Sequence, residues 1–264
     1  MCLILFSWQQ DSERPLIVTA NRDEFYHRET AAFAPWKNSA VVAGQDLQAG
    51  GTWMGITTSG RFAAVTNYRR PTDMGRTFPL SRGQLCQDFL HKELSVETFL
   101  NQLQTSAMDA GGFNLLVSDG QQLGYASNRF QDKQGRDHYH YHSKLEPGIY
   151  GLSNHLLDTP WPKVEQGKQA LAEKLRNNAN EDELLSILEN PLVADDYLLP
   201  DTGIGLERER FLAPRFIATS TEYGTRASSL FIRYRSGAQS FIEQSWQPLG
   251  TKAVRTYWYQ NSLY

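Results

Sequence analysis

Apolar residues run in short blocks through the first third of the chain and are cut by tight polar turns, the pattern of strands. The runs LILFSW and LIVTANR flank QQDSERP and predict an antiparallel hairpin. AVVAGQDLQAGGTWMGITTSGRFAAVTNYR predicts three short strands, bounded by Gly44, Gly50-Gly51 and the Ser59-Gly60 turn. The period then becomes helical. Ser81 stands as N-cap to a helix burying Leu85, Phe89 and Leu90, and Ser95 to one burying Phe99, Leu100 and Leu103. FNLLVSD, QLGYASN, HYHYHS and GIYGLSN return to strand. Two helices follow, one with Pro162 in its first turn and one with Asn180 and Glu183 at capping-box spacing. FIATSTEYGTRASSLFIRYR, QSFIEQSW and VRTYWY close as strands. No repeat, low-complexity tract or Gly/Ser linker interrupts this order, so the expectation is one α+β domain over residues 1–264, with mainly antiparallel sheet and segregated helices.

A chain of 264 residues with 40% hydrophobic and 21% charged residues is long enough for a sizeable core. A net charge of -3 gives no electrostatic reason to expect nucleic acid or an anionic membrane as partner. Two cysteines, Cys2 and Cys86, make no disulfide framework and fit a reducing compartment. The first residues lack a basic region and a small-residue cleavage site, and no apolar run is long enough to span a bilayer. A soluble cytoplasmic protein is expected. Aromatic residues reach 12%, enough to serve a large core, a ring-lined ligand groove, or both.

Candidate chemistry gathers at strand ends. Cys2 runs directly into an apolar strand. With Met1 removed, it would carry a thiol and a free α-amine on one residue, one design for a self-activated nucleophile; read locally, it is a small apolar residue. Asn21, Arg22, Asp23 and Glu24 end the buried-looking strand LIVTA, where four consecutive polar side chains cannot all face a core. They read as a solvated turn, or as a cluster across the hairpin from Cys2, in which an arginine favours the thiolate and an aspartate orients an amine or a substrate. Asn67, Asn114 and Asn154 are turn residues or oxyanion donors. Arg226 is a surface ion-pair partner or a clamp for a substrate carboxylate. His27 lies just past the acidic cluster and His155 just past Asn154. His138, His140 and His142 share one strand face, as metal or haem ligands or as an exposed hairpin arm; no acidic or Cys ligands accompany them, and no metal site is expected. No Walker loop, GxGxxG, GxSxG, HExxH or CxxC motif is present.

The opening MCLILF strand, TANRDEF and GGTWMGI together resemble the NRDE-motif family, also called the transport-and-Golgi-organisation family, and VTNYR, GLSNH and EYGTR look like its later segments. The likeness covers essentially the whole chain. That family is similar to the N-terminal-nucleophile hydrolases, which implies a four-layer αββα sandwich with two mainly antiparallel sheets between helix layers. In the penicillin-acylase and bile-salt-hydrolase branch an N-terminal Cys is the nucleophile and its α-amine the base. Carried over on that resemblance, Cys2 matches the nucleophile, Asp23 the orienting Asp, Asn67 and Asn154 the two Asn segments, and Arg226, more loosely, the late Arg. The hydrolases' Arg three residues before the Asp has Ala20 in its place here. Arg22 is adjacent to Asp23, so on a strand the two point to opposite faces.

The resemblance implies intracellular haem mobilisation, with haem as a transported ligand and haem-accepting proteins as partners. A Cys-nucleophile amidohydrolase and an acyl-CoA or lipid-binding protein are the alternatives. No catalytic cofactor is expected. All three place a ligand against Cys2, Asn21, Arg22, Asp23, Glu24, His27, Asn67, Asn154, His155 and Arg226.

Overall fold

The structure, a computed structural model, describes residues 2–262. Its contacts form two compact units, one of residues 2–27, Pro147–Ser153 and residues 157–262, the other of Arg28–Glu146 and Asn154–Leu156.

The first unit is built on a six-stranded antiparallel sheet. Its strands are β1 (Cys2–Trp8), β2 (Leu16–Phe25), β10 (Gly148–Leu152), β11 (Tyr223–Arg233), β12 (Gln239–Gln247) and β13 (Thr251–Gln260), in the order β10-β1-β2-β11-β12-β13. β1 and β2 form the hairpin expected around QQDSERP, with Cys2 opposite Arg22 and Trp8 opposite Leu16. Leu3, Leu5, Ile17, Leu230 and Ile242 pack against α3 (Pro162–Arg176) and α4 (Glu181–Ser186) through Val164, Leu171, Leu184 and Leu185. Asn180 and Glu183 close the capping box on α4. Gly167 lets α3 settle on β1, because a Cβ there would lie 2.7 Å from Leu5 Cδ1.

The second unit is a seven-stranded meander. In order it runs β3 (Thr30–Pro35), β4 (Val41–Asp46), β5 (Met54–Thr57), β6 (Phe62–Asn67), β7 (Phe113–Ser118), β8 (Leu123–Gln131) and β9 (Asp137–His142). α1 (Arg82–His91) and α2 (Val96–Leu103) cover one face, where Leu85, Phe89, Phe99 and Leu100 meet Val65, Phe113, Leu115 and Val117.

Three elements depart from the sequence expectation. β3 was not foreseen, nor was α5 (Leu206–Leu212). The strand expected from Phe216 begins only at Tyr223, because Ile217 is captured by Thr225 instead of a neighbouring strand. The Thr225 N–H donates to the Ile217 carbonyl at 2.9 Å, and the Ile217 N–H to Thr225 Oγ1 at 2.9 Å.

Candidate functional site

Residues directly opposite on antiparallel strands project to the same sheet face. Cys2 and Arg22 therefore share one face, and Asn21 and Asp23 point to the other. Cys2 is 8% exposed. Burial pushes its thiol up, the Asp23 and Glu24 carboxylates push the same way, and the Arg22 guanidinium works against them. Arg22 is buried and lies 4.0 Å from Glu24 Oε2, two residues along the same face.

The opposite face is a closed polar network. Asn21 Nδ2 donates to the carbonyls of Leu188 (3.0 Å) and Arg215 (2.6 Å), and its Oδ1 accepts from Ser228 Oγ, which itself accepts from Trp246 Nε1 at 2.9 Å. Asp23 Oδ1 accepts from Thr225 Oγ1 at 2.7 Å, and the Asp23 carbonyl accepts from Tyr223 Oη at 3.1 Å. β11 bulges beside this pair: Thr225 faces Asp23 and Ala227 faces Arg22, with Arg226 between them. A bulge re-aims its side chain. Arg226 Nη1 donates to the Phe25 carbonyl at 3.3 Å, and its guanidinium stands 6.0 Å from the Tyr26 ring. His27 is exposed, its ring tilted by 34° to that of Phe25 with centroids 5.3 Å apart.

Asn67, Asn154 and His155 belong to the second unit. Asn67 ends β6. Its carbonyl accepts from Asn154 Nδ2 at 3.0 Å, and the Arg69 N–H donates to the Asn154 carbonyl at 2.7 Å. Asn154 is fully buried. Next to this clamp, Tyr68 Oη and His155 Nε2 share a 2.6 Å hydrogen bond, with ring centroids 4.7 Å apart. Burial, then the Arg70 cation, lowers the His155 pKa; burial raises that of Tyr68 against the pull of Arg70.

Arg70 makes a two-point hydrogen-bonded pair with Asp137, and Arg129 Nη2 meets Asp73 Oδ2 at 2.7 Å. The Arg70 hydrogen bond holds the Asp137 carboxyl below its usual range. At Asp73 burial pushes upward, but hydrogen bonds from Arg129 and the Gly112 N–H prevail and lower it. A carboxylate lowered on folding stabilises the protein above its unfolded value near ~4, and the contribution is lost as pH falls through the folded value. Asp137→Asn is therefore expected to cost about 1 kcal/mol at neutral pH and to flatten the acid limb of an unfolding-versus-pH curve. An acid limb identical to the parent's would contradict this.

The other sequence candidates lie apart from these clusters. Asn114 is buried, donating to Thr66 Oγ1 at 3.2 Å and accepting from Tyr125 Oη at 2.7 Å. His138, His140 and His142 are exposed on β9, their rings 4.9–6.4 Å from that of Phe130. Among the described residues no three His, Cys, Asp or Glu side chains are grouped to hold a metal ion.

A sequence model of the family described as Transport and Golgi organisation 2 matches residues 1–248. The chain belongs to that family. It is 34% identical to the Transport and Golgi organization protein 2 homolog of Bos taurus, over 93% of each chain, and 31% identical to the Mus musculus homolog, over 100% of this chain and 99% of the other. Among solved structures, the Caenorhabditis elegans N-acylethanolamine-hydrolyzing acid amidase ortholog is similar with a TM-score of 0.50 at 10% identity, covering 88% of this chain and 92% of that one. At that identity the likeness shows the fold: α+β, of the N-terminal-nucleophile hydrolase type, with two mainly antiparallel sheets.

In this family member, the sequence reading missed Thr225, Ser228 and Tyr68. Thr225 and Ser228 hold Asp23 and Asn21 from more than 200 residues away, a pairing that no local pattern carries. Tyr68 stood in view beside Asn67, and its neighbour among the motifs, His155, was the available signal. Met1, on whose removal the nucleophile expectation depends, lies outside the described residues. No helix among the described residues is long and apolar enough to cross a membrane.

Proposed function

We propose that this member of the Transport and Golgi organisation 2 family handles haem in the cytoplasm, holding it and passing it to accepting proteins on a scaffold derived from N-terminal-nucleophile hydrolases. The observation that supports a carrier over a hydrolase is the state of Cys2: a buried thiol whose pKa is pushed upward, on the sheet face opposite Asp23. A cysteine nucleophile works as thiolate, and Asp23 is bonded to Thr225, away from the sulfur. Haem is the ligand that the family resemblance implies. Titration of the protein with ferric haem is expected to give a saturable Soret shift at one equivalent and transfer to apo-myoglobin. A linear, unsaturable titration would sink the reading.

The fold favours a second reading, a Cys-nucleophile amidohydrolase. There Cys2 Sγ would attack an amide carbonyl while the freed α-amine takes the thiol proton and passes it to the amine that departs as the C–N bond breaks, and water would then hydrolyse the thioester to the acid and the free thiol. An acyl-CoA or lipid carrier has no structural observation in its favour. Alkylation separates the first two. Cys2 is expected to react with iodoacetamide at least ~10-fold more slowly at pH 7 than an exposed cysteine, read by peptide mass mapping that resolves Cys2 from the buried Cys86. Fast labelling of Cys2 at pH 7 would favour the hydrolase.

A further inference from the structure

We propose that the protein forms a symmetric dimer through β13, the outermost strand of the first unit's sheet, with the strands of two copies pairing antiparallel about Tyr257. The proposal stands apart from the haem-handling reading and does not depend on it.

A sheet edge carries unpaired backbone groups that another strand can take up, and proteins guard such edges with short strands, prolines, bulges or charged side chains. Three of the edges here are guarded in these ways. β10 has five residues, two of them glycine. β3 is bulged between Ala31 and Ala34 and ends in Pro35. β9 carries Asp137 and three exposed histidines within six residues. β13 is guarded only near its start, where Ala253 and Val254 stand opposite the single residue Ser245. From Arg255 to Gln260 it runs in regular register on β12, with no proline and no acidic side chain. Tyr257 and Tyr259 are 63% and 61% exposed on this stretch. Large aromatic side chains left in water along an unpaired edge mark a contact surface.

The strand's own sequence identifies the occupant. About a two-fold axis at Tyr257, that ring faces Tyr257 of the partner subunit, Arg255 faces the partner's Tyr259, and Thr256 faces the partner's Trp258. Directly opposite residues project to the same face of the joined sheet. One face therefore carries a guanidinium–ring pair, a ring–ring pair and a second guanidinium–ring pair in a row, each a favourable contact. The other face carries two Thr–Trp pairs. The neighbouring registers are worse. An axis at Arg255 sets two guanidiniums against each other, one at Thr256 runs the pairing into the Ala253–Val254 bulge, and one at Trp258 leaves Arg255 facing past the strand's end. A foreign acidic strand has little to gain here, because Lys252 already lies 3.7 Å from Glu189 and Arg255 donates to Asp182. Pairing from Arg255 to Tyr259 supplies roughly five main-chain hydrogen bonds, the low end for a specific interface. The contact is isologous and closes on itself, so a reversible dimer is expected and not a filament.

The test is sedimentation equilibrium on the full chain over roughly 1–100 μM, beside Tyr257→Lys and Tyr257→Cys. The parent should pass reversibly from monomer to dimer across that range. Tyr257→Lys sets two ammonium groups opposite each other and should raise the dimer dissociation constant at least ~10-fold, with circular dichroism unchanged. Under mild oxidation Tyr257→Cys should give a disulfide-linked dimer, because facing residues lie within disulfide reach, and Tyr259→Cys should not. Cys2 and Cys86 are buried and add no background to that assay. The parent's sedimentation needs no variant, so misfolding of a variant would not shield the proposal. A parent still monomeric at roughly 100 μM would overturn self-pairing and leave the edge to a strand from another protein. A Tyr257→Lys dimer as tight as the parent's would place the dimer contact elsewhere and overturn it as well. A disulfide from Tyr259→Cys with none from Tyr257→Cys would overturn the register.

Discussion

Asn21→Ala is expected to lower stability by about 3 kcal/mol and to lower Tm by roughly 10 °C. The substitution leaves the Leu188 and Arg215 carbonyls and the Ser228 hydroxyl in a buried setting with one partner fewer each. Each such loss costs about 1–3 kcal/mol when water cannot reach the group. The Leu188 and Arg215 carbonyls lie beyond α4 and before β11, so Asn21 ties β2 to two connecting segments at once. Glu24→Ala, three residues away, should change stability by less than about 0.5 kcal/mol, because Glu24 is partly exposed and its ion pair spans 4.0 Å. Denaturant unfolding of the two variants decides the matter. An Asn21→Ala protein as stable as the parent would return Asn21 to the list of ligand contacts and remove it from the framework.

That contrast shows what the sequence carries and where it stops. The apolar runs of β1 and β2 were legible, but NRDE left a solvated turn open; β2 instead carries these residues on to Phe25, with Asn21, Arg22 and Asp23 buried. From alternation alone, Arg22 and Asp23 were separable onto two faces. What Asn21 and Asp23 bond to was not legible, because Leu188, Arg215, Thr225 and Ser228 meet them only through the register of β11 on β2. The unforeseen elements have equally local reasons. β3 reads TAAFAP, whose small residues carry no period and whose single buried side chain is Phe33. α5 is seven residues of LERERFL behind Gly205, too short and too charged to show an apolar stripe. The histidine row of β9 was read correctly as lying on one face. Its exposure could be decided only by Tyr139 and Tyr141, which pack against the helix-side core from the other face. Tyr68 and His155 lie in two segments quoted for family likeness, yet nothing in either segment indicates that they touch.

Gly224→Ala is expected to cost about 2–3 kcal/mol although Gly224 sits inside a strand, where alanine is ordinarily harmless. Its backbone needs no left-handed conformation; the constraint is space. A Cβ there would stand 2.5 Å from Tyr26 Oη and 2.6 Å from the Ile217 carbonyl oxygen. The tyrosine hydroxyl can swing aside, but the carbonyl cannot, because the Thr225 N–H holds it at 2.9 Å. Moving Ile217 also strains the bond from its N–H to Thr225 Oγ1, and that hydroxyl is the donor to Asp23. A methyl group at Gly224 therefore reaches the Asp23 carboxylate through two hydrogen bonds. Thr225→Val removes the same hydroxyl directly and leaves a buried carboxylate without that donor, at a cost of about 2 kcal/mol. Since both changes break one network, the double variant Gly224→Ala/Thr225→Val should fall short of the sum of the singles by at least about 0.5 kcal/mol. Strict additivity in that cycle would mean that the glycine serves only the packing of Tyr26, and that Thr225 holds Asp23 independently of it.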